Sequence, residues 1–219
     1  MKRLWKEMNM QAALLTAPKQ FSLWNISPPK PASGEVLVRV KRAGICGSDM
    51  HFYLTGRIGD AQLEEPFLMG HEFSGIIEEE NGIPSSPPKG TRVAVEPAVH
   101  CGKCPFCKSG RPNICPHVRF TGFPPYPGAF AEYISVPVEN VYPLPETISD
   151  DMGPVLETLA VAIHAIELMP DPRGKNCAVI GSGSVGMLVA LLLVKHGARI
   201  VMVVEPVAER REKALEVGC

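Results

Sequence analysis

Cys101, Cys104, Cys107 and Cys115 stand in CGKCPFCKSGRPNIC, a C-x2-C-x2-C-x7-C run, and no other stretch restricts this chain so tightly. Four thiols this close in sequence converge in space only if the backbone turns sharply, and Gly102, Pro105, Gly110 and Pro112 supply those turns. Four thiolates close a tetrahedral shell around zinc and leave no position for water or substrate, so the loop predicts a structural metal site. An iron–sulfur cluster is the rival use of four thiolates, but the order of spacings differs from the ferredoxin patterns. His100 and His117 flank the loop and are read as surface residues. The chain has seven cysteines, an odd number with four of them clustered. That usage fits metal binding in a reducing compartment better than a disulfide framework.

Two regimes of composition meet near residues 147–154. Before them lie short alternating segments, at 36–40, 74–78 and 92–95, separated by Gly- and Pro-rich turns, which predict a partly open β-barrel with long loops over residues 1–150. Residues 154–169 carry apolar positions at helical spacing, so a linking helix is expected within 151–172. From 173 to 219 the order is strand (176–180), helix (184–196, stopped by Gly197), strand (199–204) and a helix after Pro206. That is the opening of a doubly wound parallel sheet. Such a sheet normally has about six strands. With two strands readable, the expectation is an incomplete Rossmann domain and a chain truncated on its C-terminal side.

The 22 Lys plus Arg against 23 Asp plus Glu give a net charge of −1, which offers no broad positive field to phosphate backbones or anionic membranes. A zinc-ribbon nucleic-acid binder would carry an excess of positive charge overall, and this chain has none. The start carries Lys2, Arg3 and Lys6 without the apolar core of a secretory signal. The apolar run at 185–194 is too short to span a bilayer. The expectation is a cytoplasmic protein with neither nucleic acid nor membrane as partner.

A second set of candidate ligands is spread more widely: Cys46 in GICGSDMH, and His71 with Glu72 in MGHEFSG. One thiolate, one imidazole and one carboxylate make a mixed shell that keeps a position open, as a Lewis-acid zinc requires. Each residue taken singly is read more simply as a buried Cys or a solvated His–Glu pair. Farther on, Gly181, Gly183 and Gly186 form G-x-G-x-x-G between a strand and a helix, where glycines allow a pyrophosphate to approach the helix N-terminus. Ser184 and Val185 lie inside that motif. Glu205 follows nineteen residues after the last glycine, where an acid accepts hydrogen bonds from ribose hydroxyls and repels a ribose phosphate. NAD is therefore preferred to NADP, with Arg210 and Arg211 close enough to soften the preference. Cys177, His164 and His196 are read as ordinary core or helix residues.

Taken in order, GICGSD, GHEFSG, RVAVEP, the four-cysteine loop, GAFAEY and VIGSGSVG resemble the zinc-containing medium-chain alcohol dehydrogenases along nearly the whole chain. GRIGDAQLEEPFLMGHE is most similar to the polyol (sorbitol) branch. The resemblance implies a GroES-like barrel followed by a Rossmann domain. It also implies hydride transfer between a secondary alcohol or polyol and NAD, one catalytic and one structural zinc, and homo-oligomeric full-length relatives. It assigns Cys46, His71 and Glu72 to the catalytic zinc and Glu157 in VLETLAVAIHA to a further carboxylate there. Asp49 becomes the partner that orients His71, and Ser48 and His51 the relay that leads the substrate proton to solvent. It places Gly181, Gly183, Ser184, Val185, Gly186, Glu205 and Arg210 at the nucleotide. The chain departs from the family at Thr158, where a proline is usual, and at Phe52, where the polyol enzymes often have tyrosine. The alternative is a truncated, non-catalytic zinc-binding fragment of such an enzyme.

Overall fold

Alternation of apolar and polar side chains, combined with many turn formers, yields an antiparallel β architecture in the first part of the chain and an α/β layer in the second. The computed structural model describes residues 9–63 and 66–219. Lys2, Arg3 and Lys6, and Glu64 and Glu65 within GRIGDAQLEEPFLMGHE, lie outside the described residues. The chain divides into two compact units, Met1–Val155 and Leu156–Cys219.

The first unit runs β1 (Met10–Ala17), β2 (Gln20–Ile26), β3 (Glu35–Ala43), α1 (Gly47–Thr55), β4 (Arg57–Ile58), β5 (Ala61–Gln62), β6 (Phe67–Leu68) and β7 (Phe73–Glu79). It continues with β8 (Arg92–Val95), β9 (Ala98–Val99), α2 (Pro105–Lys108), β10 (Arg119–Phe120), β11 (Tyr133–Pro137) and β12 (Val141–Pro143). A five-stranded sheet in the order β11-β3-β7-β8-β12 forms its centre, and β2-β1-β6 make a second, three-stranded sheet. Period-two patterning sends Val36 and Val38 of β3 inward with Phe73 and Ile77 of β7, Val93 and Val95 of β8, and Ile134 and Val136 of β11. Each such side chain contributes about 1.5–3 kcal/mol by leaving water. β3 slips register against β7 at Leu37/Val38 and at Val40/Arg42, and such bulges bend and twist a sheet. The last pair of that ladder, Ala43 with Phe73, sets the chain just after β3 beside the chain just before β7.

α1 and the β1–β2 hairpin were not expected from the sequence. α1 starts because the Asp49 carboxylate turns back to accept the Cys46 backbone N–H at 2.9 Å, which satisfies one of the free amides at a helix start. Gly56 closes it in the left-handed region at φ 71°.

The second unit contains α3 (Val155–Glu167, its first residue in unit one), β13 (Asn176–Ile180), α4 (Ser184–Lys195), β14 (Ile200–Val204) and α5 (Ala208–Glu216). β13 and β14 pair in parallel from Asn176–Ile200 to Ile180–Val204. Val179 and Val201 of the sheet pack with Ala190 and Leu193 of α4 and Ile166 of α3. The fold is thus a GroES-like barrel followed by part of a Rossmann domain, with two parallel strands present. Among the described residues, no helix is long and apolar enough to cross a membrane.

Candidate active site and metal centres

Because Ala43 faces Phe73, Gly44–Ile45–Cys46 and Gly70–His71–Glu72 run side by side, tied by the Gly44 N–H donating to the Glu72 carbonyl at 2.6 Å. One donor atom each from Cys46, His71 and Glu72 lies within 4.8 Å of the others. His71 and Glu72 are buried and Cys46 is half-buried. A soft thiolate, an imidazole and a carboxylate gathered at this distance fit zinc and leave a position open.

Asp49 is 3% exposed and places Oδ1 3.8 Å from Nδ1 of His71, facing the imidazole at a distance too long for a tight hydrogen bond. Burial pushes the Asp49 carboxyl above the ordinary range against the pull of the Cys46 and Gly70 amides and of His71. Burial likewise raises the Cys46 thiol, with Glu72 and Asp49 adding to the effect and Ser48 opposing it. A cation among these groups reverses both tendencies. Ser48 and His51 are three residues apart on α1 and so share one face, with Ser48 half-buried and His51 exposed. Glu157 lies half-buried in the first turn of α3, in the second unit. Phe52 is fully buried, edge-on to Phe123.

Two features of this site were not read from the sequence. The ring of Phe120, at the end of β10, meets His71 edge-on at 5.3 Å between centroids. Behind His71, three glycines stack backbone on backbone. A Cβ on Gly122 would come 2.6 Å from the Gly70 carbonyl oxygen, and one on Gly128 would strike Met69 and Gly70. Gly128 N donates to Leu68 O at 2.7 Å and Ala129 N to Gly70 O at 2.9 Å, which locks residues 68–70 from behind. The glycine in PYPGAF was a visible signal, but its partner was not.

The four cysteines of the loop also converge. Sγ of Cys104 lies 3.4 Å from that of Cys107 and 3.8 Å from that of Cys115, and Cys101 lies 4.0 Å from Cys107. A tetrahedron of sulfurs with Zn–S of about 2.3 Å has edges of about 3.8 Å, so the cage already has nearly the size zinc requires. Gly102 at φ 67° and Gly110 at φ 74° make the two tight turns. The Lys103 and Cys104 amides hold the Cys101 thiol down at about 6, whereas burial, aided by Cys104 and Cys115, pushes Cys107 up to about 12. His100 and His117 are exposed.

At the head of α4, Gly181 adopts φ 90° and donates to Val204 O at 2.8 Å, while Gly183 caps the helix. A Cβ on Gly186 would run into the Gly181 carbonyl, so the third glycine is what lets helix and loop meet. Ser184 and Val185 stand exposed on the first turn. Glu205, directly after β14, is buried. Its Oε2 accepts from Ser182 N at 2.8 Å and its Oε1 from Val207 N at 3.0 Å, and these amides hold the carboxyl below its ordinary range. Arg210 Nη1 lies 4.0 Å from the same carboxylate, whereas Arg211 donates to the carbonyls of Glu205 and Pro206.

A family model of the alcohol dehydrogenase GroES-like domain matches residues 32–146. The chain is 37% identical over 210 residues to the sorbitol dehydrogenase of Bacillus subtilis, covering 96% of this chain and 60% of that protein. To the D-xylulose reductase of Saccharomyces cerevisiae it is 36% identical over 209 residues, covering 95% and 59%. Among solved structures, a short chain alcohol dehydrogenase from Escherichia coli CFT073 complexed with NADH superposes with a TM-score of 0.86 at 34% identity, over 96% of this chain and 61% of that one. The chain thus spans about three fifths of the length of these relatives.

Proposed function

Since the chain belongs to the alcohol dehydrogenase family with a GroES-like domain, we propose that its protein is a zinc-dependent oxidoreductase that transfers a hydride between a secondary alcohol or polyol and NAD. The observation that carries this reading is the gathering of Cys46, His71 and Glu72 within 4.8 Å, apart from a closed four-sulfur cage. Zinc held by these three residues would polarise a hydroxyl and lower its pKa, and the nicotinamide ring of NAD would take the hydride.

The chain's own residues do the rest. Asp49 faces the His71 ring and orients it as a ligand. Ser48 and His51, on one face of α1, carry the hydroxyl proton outward to solvent, a task suited to an exposed imidazole. Glu157 supplies a further carboxylate to the metal or its water. Gly181, Gly183, Ser184, Val185 and Gly186 present the amide-rich start of α4 to the pyrophosphate. Glu205 accepts from the adenosine ribose and disfavours a ribose phosphate, with Arg210 beside it at the nucleotide. Cys101, Cys104, Cys107 and Cys115 hold a structural zinc and stiffen the loop at 100–116.

In this reading, residues 1–150 form the catalytic domain, 151–172 the linking helix and 173–219 the start of the nucleotide domain. Small alcohols or polyols are the substrates, relatives of full length assemble as homo-oligomers, and the free thiols suit a reducing cytoplasm. The purified chain, zinc-loaded, is titrated with NAD and then assayed for NADH formation from polyols and secondary alcohols. NAD binding with turnover supports the reading. Zinc-loaded protein without turnover, whether or not it binds NAD, favours the fragment alternative, and protein that takes up zinc only at the four cysteines refutes the reading.

A further inference from the structure

Gly44, the first residue after β3, sits against the carboxylate of Glu72. A Cβ built on Gly44 would have three nearest neighbours, all atoms of Glu72: Oε2 well inside contact distance, Cβ at 3.1 Å and Cδ at 3.5 Å. The backbone of Gly44 lies outside the left-handed region, so nothing in its own conformation demands glycine. What demands it is the space that the Glu72 carboxylate occupies.

We infer that Gly44 is a positioning residue, whose missing side chain lets the Glu72 carboxylate stand among the donor atoms of Cys46 and His71. The inference rests on the metal site proposed above. Oε2 is the free end of a flexible side chain, so a methyl group at position 44 is accommodated by swinging the carboxylate aside, with the Glu72 Cβ at 3.1 Å giving by only a few tenths of an ångström. The Gly44–Glu72 backbone hydrogen bond at 2.6 Å keeps the two strand ends together meanwhile. The substitution therefore removes a donor from the metal site and leaves the fold in place. Gly47 provides the matched control. It flanks Cys46 on the other side, lies outside the left-handed region, and a Cβ on it meets nothing within 4 Å.

The test compares wild type, Gly44→Ala and Gly47→Ala as 219-residue chains, measuring zinc affinity by competition with a chromophoric chelator and recording the visible spectrum after cobalt substitution. Gly44→Ala is expected to keep the four-cysteine metal, to bind the second zinc about tenfold to a hundredfold more weakly, and to change the cobalt spectrum of that site alone. The metal-free chain should melt as wild type does, and Gly47→Ala should bind like wild type. Unchanged affinity and spectrum in Gly44→Ala, or an equal loss in both variants, overturns the inference. If Gly44→Ala misfolds, adding Glu72→Ala to the same chain removes the blocking carboxylate and should restore folding; continued misfolding overturns it. A wild-type chain that holds metal only at the four cysteines sinks the proposed site itself, and this inference with it.

Discussion

Asp49→Asn separates the two tasks that one carboxylate performs. Oδ2 accepts the Cys46 N–H at 2.9 Å and so starts α1, while Oδ1 lies 3.8 Å from Nδ1 of His71. Asparagine keeps an acceptor oxygen for the Cys46 amide but loses the charge that faces the imidazole. Metal-free stability should therefore change by less than about 1 kcal/mol, the usual worth of a helix cap, especially since burial already disfavours the Asp49 anion. Zinc affinity at Cys46, His71 and Glu72 should fall about tenfold to a hundredfold, or about 1.4–2.7 kcal/mol, as is typical when the partner of a ligating histidine is lost. Asp49→Ala loses both contacts and should also cost about 1–3 kcal/mol in the metal-free chain, because the half-buried Cys46 amide is left without its acceptor. Chelator competition reads the first quantity and urea unfolding of the metal-free chain the second. If Asp49→Asn binds zinc as wild type does, the carboxylate serves only the helix cap, and the account of how His71 is oriented is wrong.

Gly122→Ala puts a side chain at φ 78° and 2.6 Å from the Gly70 carbonyl oxygen. The conformational and overpacking costs together come to about 2–5 kcal/mol, readable as a drop in the midpoint of thermal unfolding. Cys115→Ser should remove metal from the four-cysteine cage alone and raise amide hydrogen exchange across 100–116, while the second metal site stays loaded; loss of both metals would show that the sites are not independent. Glu205 titrates below its ordinary value of 4.5, so its contribution to stability is present above that pH and is lost as pH falls through its lower folded value. Urea unfolding of wild type and Glu205→Gln should therefore differ at neutral pH and converge in acid, whereas a constant gap would mean that the charge of Glu205 is not what matters.

What could be read from the sequence depended on how local each interaction is. β3, β7 and β8 were visible because burial on one sheet face leaves a period of two, and β13, α4 and β14 because tight glycine turns separate them. The four-cysteine cage was visible because all its ligands lie within one short loop. α1 was missed because Asp49 was read for its reach to His71 and not for its bond to the Cys46 amide. The β1–β2 hairpin was missed because its turn uses Lys19 at φ 65°, where glycine or asparagine would have marked it. Phe120 against His71, Gly44 against Glu72 and the Gly70–Gly122–Gly128 stack are contacts between segments far apart in the chain, and no local spacing encodes them.

Anomalous diffraction at the zinc edge, from crystals of the zinc-loaded chain, tests the central claim most directly. Two peaks are predicted, one inside the cage of Cys101, Cys104, Cys107 and Cys115 and one between Cys46, His71 and Glu72. A single peak in the sulfur cage, or a second peak away from His71, would contradict the account.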